Sequence, residues 1–330
     1  MALGSCTVHD MPRINLQTGS PEWKEYHQGR IGGHAACAVL LGGNPDIAKM
    51  GVKVRGTPLH VFLQLTGRLN EPKTEEEQTE QQEVAAELQW GIDTEDVHRR
   101  MLARDIGVAV QNGYVVQHPK YDWLMASVDG ETRHMDRRTI VELKAPTWAK
   151  RDWREAAPWA AKVQCAFYMM VVGHDSNGHD EPGGGIVSAL LPPTVAWEAF
   201  DRDLAVEDWI MGVLIDFRDK YWLRDIPPPP MGQDVKVMSK MWPRDTGKVI
   251  LLPAECEAAA SRLEHLKEQA SEIEAEMDAH KASLMAAMGD ATEATIGGYT
   301  YTWKTETRNF KPQPARTIET RVFRRKGAKK

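Results

Sequence analysis

The 330-residue chain is 42% hydrophobic and 27% charged with a net charge of −6, a composition that fits a globular protein of one large or two modest domains and argues against a disordered or fibrous chain. Its longest apolar runs, such as Ala166 to Gly173, are too short to cross a bilayer, and the N-terminal stretch MALGSCTVHDMPRINLQTGS lacks the basic start and apolar core of an export signal. The scattered Cys6, Cys37, Cys165 and Cys256 form no CxxC pair, which fits a reducing cytosol and speaks against a zinc or iron–sulfur site.

From Ser20 to about Leu69 the pattern predicts a short helix, a glycine-rich turn through GRIGGHAACAVLLGG, and further helix. Glu71 to Glu87 is strongly acidic and predicts an exposed helix leading into Trp90-Gly91. A separate helix is expected from Thr94, a plausible cap, to about Asp105, with Val97, Met101 and Leu102 as its buried stripe and Gly107 as its stop. Three strands follow over Val108–Gln117, Trp123–Val128 and Thr139–Leu143, the last two joined by the polar stretch DGETRHMDRR. After Pro146 come a helix from about Trp159 to Met170, the loop GHDSNGHDEPGGG, a strand IVSALL, and a helix near residues 201 to 222. This order predicts an α/β core with a mixed sheet.

RDIPPPPMG at 224 to 232 marks a boundary, because four prolines favour an extended connector over a helix. Beyond it, Leu263, Leu266, Ala270, Ile273, Met277 and Leu284 recur at three- and four-residue steps within a long amphipathic helix from Ala254 to Met288. That pattern suits a helical arm, a coiled-coil strand, or a helix laid on the core. Gly289 ends it, and ATIGGYTYTWKTETR predicts a hairpin turning at Gly297-Gly298. From Trp303 onward ten Lys/Arg face two acids, a basic tail that is either a solvated terminus or a contact for an acidic partner.

The chemistry concentrates in SVDGETRHMDRRTIVELKAP, residues 127 to 146. On a strand, Glu142 and Lys144 share one face, with Val141 and Leu143 opposite. An exposed edge-strand ion pair would look the same and would be worth little. Asp129-Gly130, read as the end of the preceding strand, would bring a second carboxylate beside Glu142, and Pro146 stops the strand just beyond. Two carboxylates held together repel unless a cation joins them, and hard oxygen ligands suit Mg²⁺ or Mn²⁺. A cation there would bind a phosphate oxygen and acidify a water, and Lys144 would orient that water or offset charge building on phosphorus.

Asp129, then Glu142-Leu143-Lys144, resembles the core of the PD-(D/E)XK nuclease superfamily. EWKEYHQGRIGGHAACAVLLG, WGIDTEDVHRRMLARDIG, HPKYDWLMASVDGE, VELKAP and KVQCAFYMMVVG resemble, in order, five segments of the YqaJ-like viral recombinases, the phage lambda-type exonucleases. The resemblance implies an α/β restriction-endonuclease-like fold: a mixed sheet flanked by helices, with a C-terminal extension of long helix and hairpin. It divides the chain into a nuclease domain at 1–225, a Pro-rich connector at 226–252, and a C-terminal helix, hairpin and basic tail at 253–330.

Position by position, the resemblance makes Asp129 and Glu142 metal ligands, adds the Leu143 carbonyl, and makes Lys144 the catalytic lysine. Glu95 matches the helix glutamate that completes the acidic cluster, and Gln164 the glutamine that positions water or scissile phosphate. Without the family, Glu95 is a first-turn acid favoured by the helix dipole, and Gln164 a polar residue on an amphipathic helix. His27 stands where the family has a 5′-phosphate arginine and His34 where it has a serine, so Arg30, His34 and His27 are the phosphate-binding candidates and the 5′-phosphate preference is open. His174, Asp175, His179 and Asp180 fit a flexible loop better than a metal site. PTWAKRDWREAAPWAAK, with Trp148, Trp153, Trp159, Lys150, Arg151 and Arg154, suits either packing or base stacking with phosphate neutralisation.

The activity implied is a Mg²⁺-dependent (or Mn²⁺-dependent) 5′→3′ exonuclease on linear double-stranded DNA, with one or two ions per site, leaving 3′ overhangs for recombination. Partners implied are DNA ends, a single-strand annealing protein of the RecT or Beta kind, and further copies of the chain, but no membrane. The setting implied is the bacterial cytoplasm, with a phage or prophage origin. An endonuclease or junction resolvase of the same superfamily is the nearest alternative, and a non-catalytic DNA-end-binding recombination factor the more distant one.

Overall fold

The computed structural model describes residues 20–49, 54–69, 75–146, 156–173, 181–242 and 244–305, together with 14, 16, 52, 153 and 307. The basic tail beyond 307, the loop at 174–180 and most of 147–155 lie outside the described residues, and so do Cys6 and the candidates His174, Asp175, His179, Asp180, Trp148, Lys150, Arg151 and Arg154. The chain forms two compact units, divided between residues 243 and 244.

The first unit opens with four helices: α1 (Pro21–His27), α2 (Gly33–Leu41), α3 (Pro45–Lys49) and α4 (Pro58–Leu65). Thr57 caps α4 by accepting from the His60 N–H, with Pro58 in the first turn where its missing donor costs nothing. A 32-residue helix, α5 (Glu75–Ile106), follows as one continuous element. Two separate helices were expected here. Gly91 costs only about 1 kcal/mol in a helix, and Thr94 does not cap but donates its hydroxyl back to the Trp90 carbonyl at 2.7 Å. Of the expected stripe, Leu102 is fully buried whereas Val97 is 43% exposed. Gly107, at φ +77°, ends the helix in the left-handed conformation that glycine adopts without strain.

Five strands make one sheet in chain order: β1 (Gln111–Gln117), β2 (Met125–His134), β3 (Arg137–Lys144), β4 (Gly184–Leu191) and β5 (Thr194–Asp201). Neighbours are antiparallel except β3 and β4, which run parallel. A parallel pair needs a crossover, and α6 (Trp159–Gly173) supplies its helix. The result is a mixed sheet flanked by helices.

The link expected between β2 and β3 is much shorter than ten residues. Both strands extend through the polar stretch and turn at Met135-Asp136, whose φ values of +50° and +59° suit a two-residue hairpin. Asp129 is therefore inside β2, not at its end. The polar residues there are satisfied across the ladder: Tyr114 donates to Glu131 at 2.6 Å and Arg138 reaches the same carboxylate at 3.0 Å. β5, absent from the sequence reading, is a half-exposed edge strand.

The sheet is covered on both faces. Ile140, Val187 and Ala189 join the main core with α2, α4, α6 and α7 (Leu204–Phe217), whereas Val141 and Ile186 pack with Leu102 of α5. Near the unit's end, the short α8 (Val235–Met241) follows a turn in which the fully buried Asp234 accepts from the Thr57 hydroxyl and from Met231 N–H at 2.7 Å. Residues 226–242 thus belong to the first unit, fastened by a buried carboxylate.

The second unit contains α9 (Cys256–Met288), 33 residues long, and the hairpin β6 (Glu293–Ile296) with β7 (Tyr299–Thr302), turning at Gly297-Gly298. Among the described residues no helix is long and apolar enough to cross a membrane.

Candidate active site

β3 lies in the sheet interior, between β2 and β4, and its last residues include the candidates Glu142 and Lys144. Gly130 pairs with Val141; one step further along the same register sets Asp129 across from Glu142. Directly opposed residues of an antiparallel pair point to the same side, so the two carboxylates meet. The Leu143 N–H donates to Asp129 Oδ2 at 2.8 Å and fixes that carboxylate against the end of β3.

Glu142 is 1% exposed. Its Oε1 pairs with Lys144 Nζ at 2.5 Å, while its Oε2 is buried without a hydrogen-bond partner. Lys144 also donates to Gln164 Oε1 at 2.9 Å, and Gln164 Nε2 donates to the Tyr168 hydroxyl at 2.8 Å. Lysine is donor-only, so this chain fixes the Gln164 amide with its oxygen toward Lys144. Gln164 and Tyr168 are one turn apart on α6, and the Tyr168 ring lies against Gly33, where an added Cβ would sit 2.7 Å from it. The glycine at the start of α2 is required by that close approach.

Electrostatics at the site follow from burial. Loss of solvent, then the Glu142 carboxylate, hold Asp129 well above the usual carboxylate range, against the pull of Lys144 and the Leu143 N–H. Burial also raises Glu142, and Lys144 opposes it. For Lys144, burial works against the charge, but Glu142 and Asp129 outweigh it and hold the ammonium above its ordinary value.

Asp129, Glu142, Lys144, Gln164, Glu95 and His34 all line one cavity of about 380 Å³ at the end of β3. Glu95 enters from α5, but in an ion pair with Arg99, which also reaches Asp96 and donates to the Asp129 carbonyl at 3.0 Å. Among the described residues no three His, Cys, Asp or Glu side chains converge as a ready metal cluster. His34 stands at the cavity mouth, and the Lys144 charge, then loss of solvent, push its imidazole down to about 4.

His27 and Arg30 lie elsewhere. They line a separate depression of about 540 Å³ that shares only Trp23 with the cavity at the end of β3. His27 is tied to the Trp23 carbonyl at 2.7 Å and stacked on its ring, and Arg30 donates to the Tyr26 carbonyl at 2.6 Å while lying over that ring. A larger depression of about 640 Å³ beside β5 holds two acids, Asp105 and Glu198, bound by Trp197 and Lys162 respectively.

Three neighbours escaped the sequence reading. Tyr168 and Arg99 each sit four residues after a recognised candidate, Gln164 and Glu95, and that helical spacing was the available signal. His98, whose ring lies 2.9 Å from Ser188 Oγ, is pushed by burial to about 4 and so stays neutral beside the acids.

The donor set fits a hard divalent cation. It comprises two opposed carboxylates that burial holds above their usual range, Asp129 being raised further by the Glu142 charge, and one buried carboxylate oxygen without a partner.

Comparisons place these residues in context. Residues 22–175 match the YqaJ-like viral recombinase domain. The uncharacterized protein YqaJ of Bacillus subtilis (strain 168) is 24% identical over 297 residues, which cover 88% of this chain and 85% of that protein. Among solved structures, LHK-Exo in complex with dAMP is similar at a TM-score of 0.44 and 16% identity, over 61% of this chain and 92% of its own. An alkaline exonuclease, LHK-Exo from Laribacter hongkongensis, is similar at 0.41 and 17%, over 61% and 94%.

Proposed function

With residues 22–175 belonging to the YqaJ-like viral recombinase domain family, we propose that this chain is a Mg²⁺-dependent exonuclease that digests one strand of linear double-stranded DNA in the 5′→3′ direction. The observation that carries the reading is the meeting of Asp129, Glu142, Lys144 and Gln164 in one cavity, with Glu142 Oε2 buried and unpartnered. A solvated edge-strand ion pair would show none of this burial.

In this reading Asp129, Glu142 and the Leu143 carbonyl would hold the cation, with Glu95, now paired with Arg99, as a further ligand. The bound cation supplies charge neutralisation at the scissile phosphate and acidification of the attacking water. Lys144, held between Glu142 and Gln164, orients that water and offsets negative charge developing on phosphorus. Gln164, its amide fixed by Tyr168, holds Lys144 in place. Neutral His34 donates a hydrogen bond to the incoming strand without adding a charge to repel Lys144. The products are 5′-mononucleotides and a duplex with a 3′ overhang, the substrate of a single-strand annealing protein.

The test is digestion of linear duplex DNA labelled at either end, with Mg²⁺ or EDTA, beside a covalently closed circle. Release of the 5′ label as mononucleotide, only with Mg²⁺ and only from the linear form, is the expected result. Cutting of the circle would transfer the site to an endonuclease, and binding without cleavage would remove the enzymatic reading.

A further inference from the structure

α9 has no buried residue. Leu263, Leu266, Ile273, Met277 and Leu284 nevertheless recur along one side of it, between 37% and 66% exposed. An isolated helix gains little by keeping such a stripe in water. The spacing also differs from that of a helix laid on a globular core. Steps of three and four alternate without a break through positions 256, 259, 263, 266, 270, 273, 277, 280, 284 and 287. That 3.5-residue period keeps one seam facing a neighbour only when two helices wrap around each other.

We propose that α9 is a homodimerisation element, pairing with α9 of a second copy of this chain as an antiparallel coiled coil. The seam is complementary to its own reverse. Reading it backwards sets Ala270 against Ile273 and Ala259 against Leu284, so small residues meet large ones there, with Leu266 against Met277 and Leu263 against His280 in the layers between. A parallel pairing would stack Ala259 on Ala259, Ala270 on Ala270 and His280 on His280.

The flanking charges decide the same way. Antiparallel order sets Lys267 beside Glu274 of the second copy, twice per dimer, with no like-charge pair, whereas parallel order sets Arg262 beside Lys267 and offsets that repulsion with Glu276 beside Lys281. Two further patches find an explanation. The run Val249 to Leu252, 62% to 97% exposed, precedes α9, while Ile296 and Tyr299, 65% and 72% exposed, lie in the hairpin after it. A 33-residue helix spans roughly 50 Å. Only the antiparallel order brings the run of one copy to the end that carries the other copy's hairpin. The inference does not depend on the catalytic reading.

The test is sedimentation velocity of the full chain over a range of concentrations, with far-UV circular dichroism as the folding control. Leu266→Glu with Ile273→Glu touches no buried residue, so the chain stays folded, and dimer dissociation is expected at concentrations at least about a hundredfold higher than before. Lys267→Glu alone is expected to weaken the dimer about tenfold, and adding Glu274→Lys to restore it. Strengthening by Lys267→Glu would overturn the antiparallel order in favour of a parallel one. Assembly indifferent to Leu266→Glu/Ile273→Glu, or a wild-type chain monomeric with α9 helical, would overturn the proposal.

Discussion

Asp129→Asn is expected to make the cation-free protein more stable while removing its activity. Asp129 faces Glu142 in a site that burial, first, and the Glu142 charge, second, make hostile to a second carboxylate. The sign follows from proton linkage. A carboxyl whose folded value is raised costs nothing below its unfolded value near 4, and costs progressively more as pH rises through the folded value. The penalty is therefore larger at pH 8 than at pH 4. Asn keeps the shape and an oxygen for the Leu143 N–H, which donates at 2.8 Å, and drops the charge. Two like charges about 4 Å apart repel by about 4 kcal/mol at an effective dielectric of 20. Lys144 offsets part of this, although it is committed to Glu142 at 2.5 Å. A net gain of about 1–3 kcal/mol remains, or roughly 3–8 °C in Tm for a domain of this size. Thermal unfolding at pH 8 in EDTA, then in Mg²⁺, measures it. Mg²⁺ should raise the wild-type Tm and leave the variant's unchanged, and the difference between the two proteins should shrink toward pH 4. A variant less stable than wild type in EDTA, or one that gains as much from Mg²⁺, would refute the reasoning.

Gly33→Ala drives a methyl into the Tyr168 ring, and a loss of about 1–3 kcal/mol in urea unfolding is expected, with reduced activity as α2 and α6 separate. Tyr168→Phe keeps that packing but leaves Gln164 Nε2 a buried donor without an acceptor. It should cost about 1–3 kcal/mol and lower kcat while DNA affinity is unchanged, which turnover and binding assays on one preparation would separate. His34, pushed to about 4, keeps one charge state between about pH 6 and 9, so His34→Ala should leave the shape of the pH–rate profile in that range unaltered. A lost acidic limb would show that the imidazole titrates there.

The strand that carries Glu142 and Lys144 was legible because Ile140-Val141-Glu142-Leu143-Lys144 alternates in a short apolar frame and is followed closely by Pro146. Its partner was harder to read. DGETRHMDRR reads as a loop because a run of charges ordinarily stays in water, yet Glu131, Arg138 and Tyr114 satisfy one another across three strands, a match that only the fold creates. The same limit hid β5, an edge strand with half its residues in solvent. Gly91 and Thr94 read locally as a break and a cap, but the flanking helix formers and the packing of Leu102 on the sheet carried α5 through them. Among the phosphate-binding candidates, six residues separate His27 from His34, and with the turn at Gln28-Gly29 between them they line different cavities.

Lys144→Ala, assayed for cleavage and DNA binding side by side with wild type, tests the assignment of this site most directly. Lys144 contacts Glu142 and Gln164 at the heart of the cavity and contributes one positive charge among many. Cleavage should fall by at least about 10³-fold while the Kd for duplex ends changes by less than about threefold. Full turnover in that variant would show that the chemistry lies elsewhere.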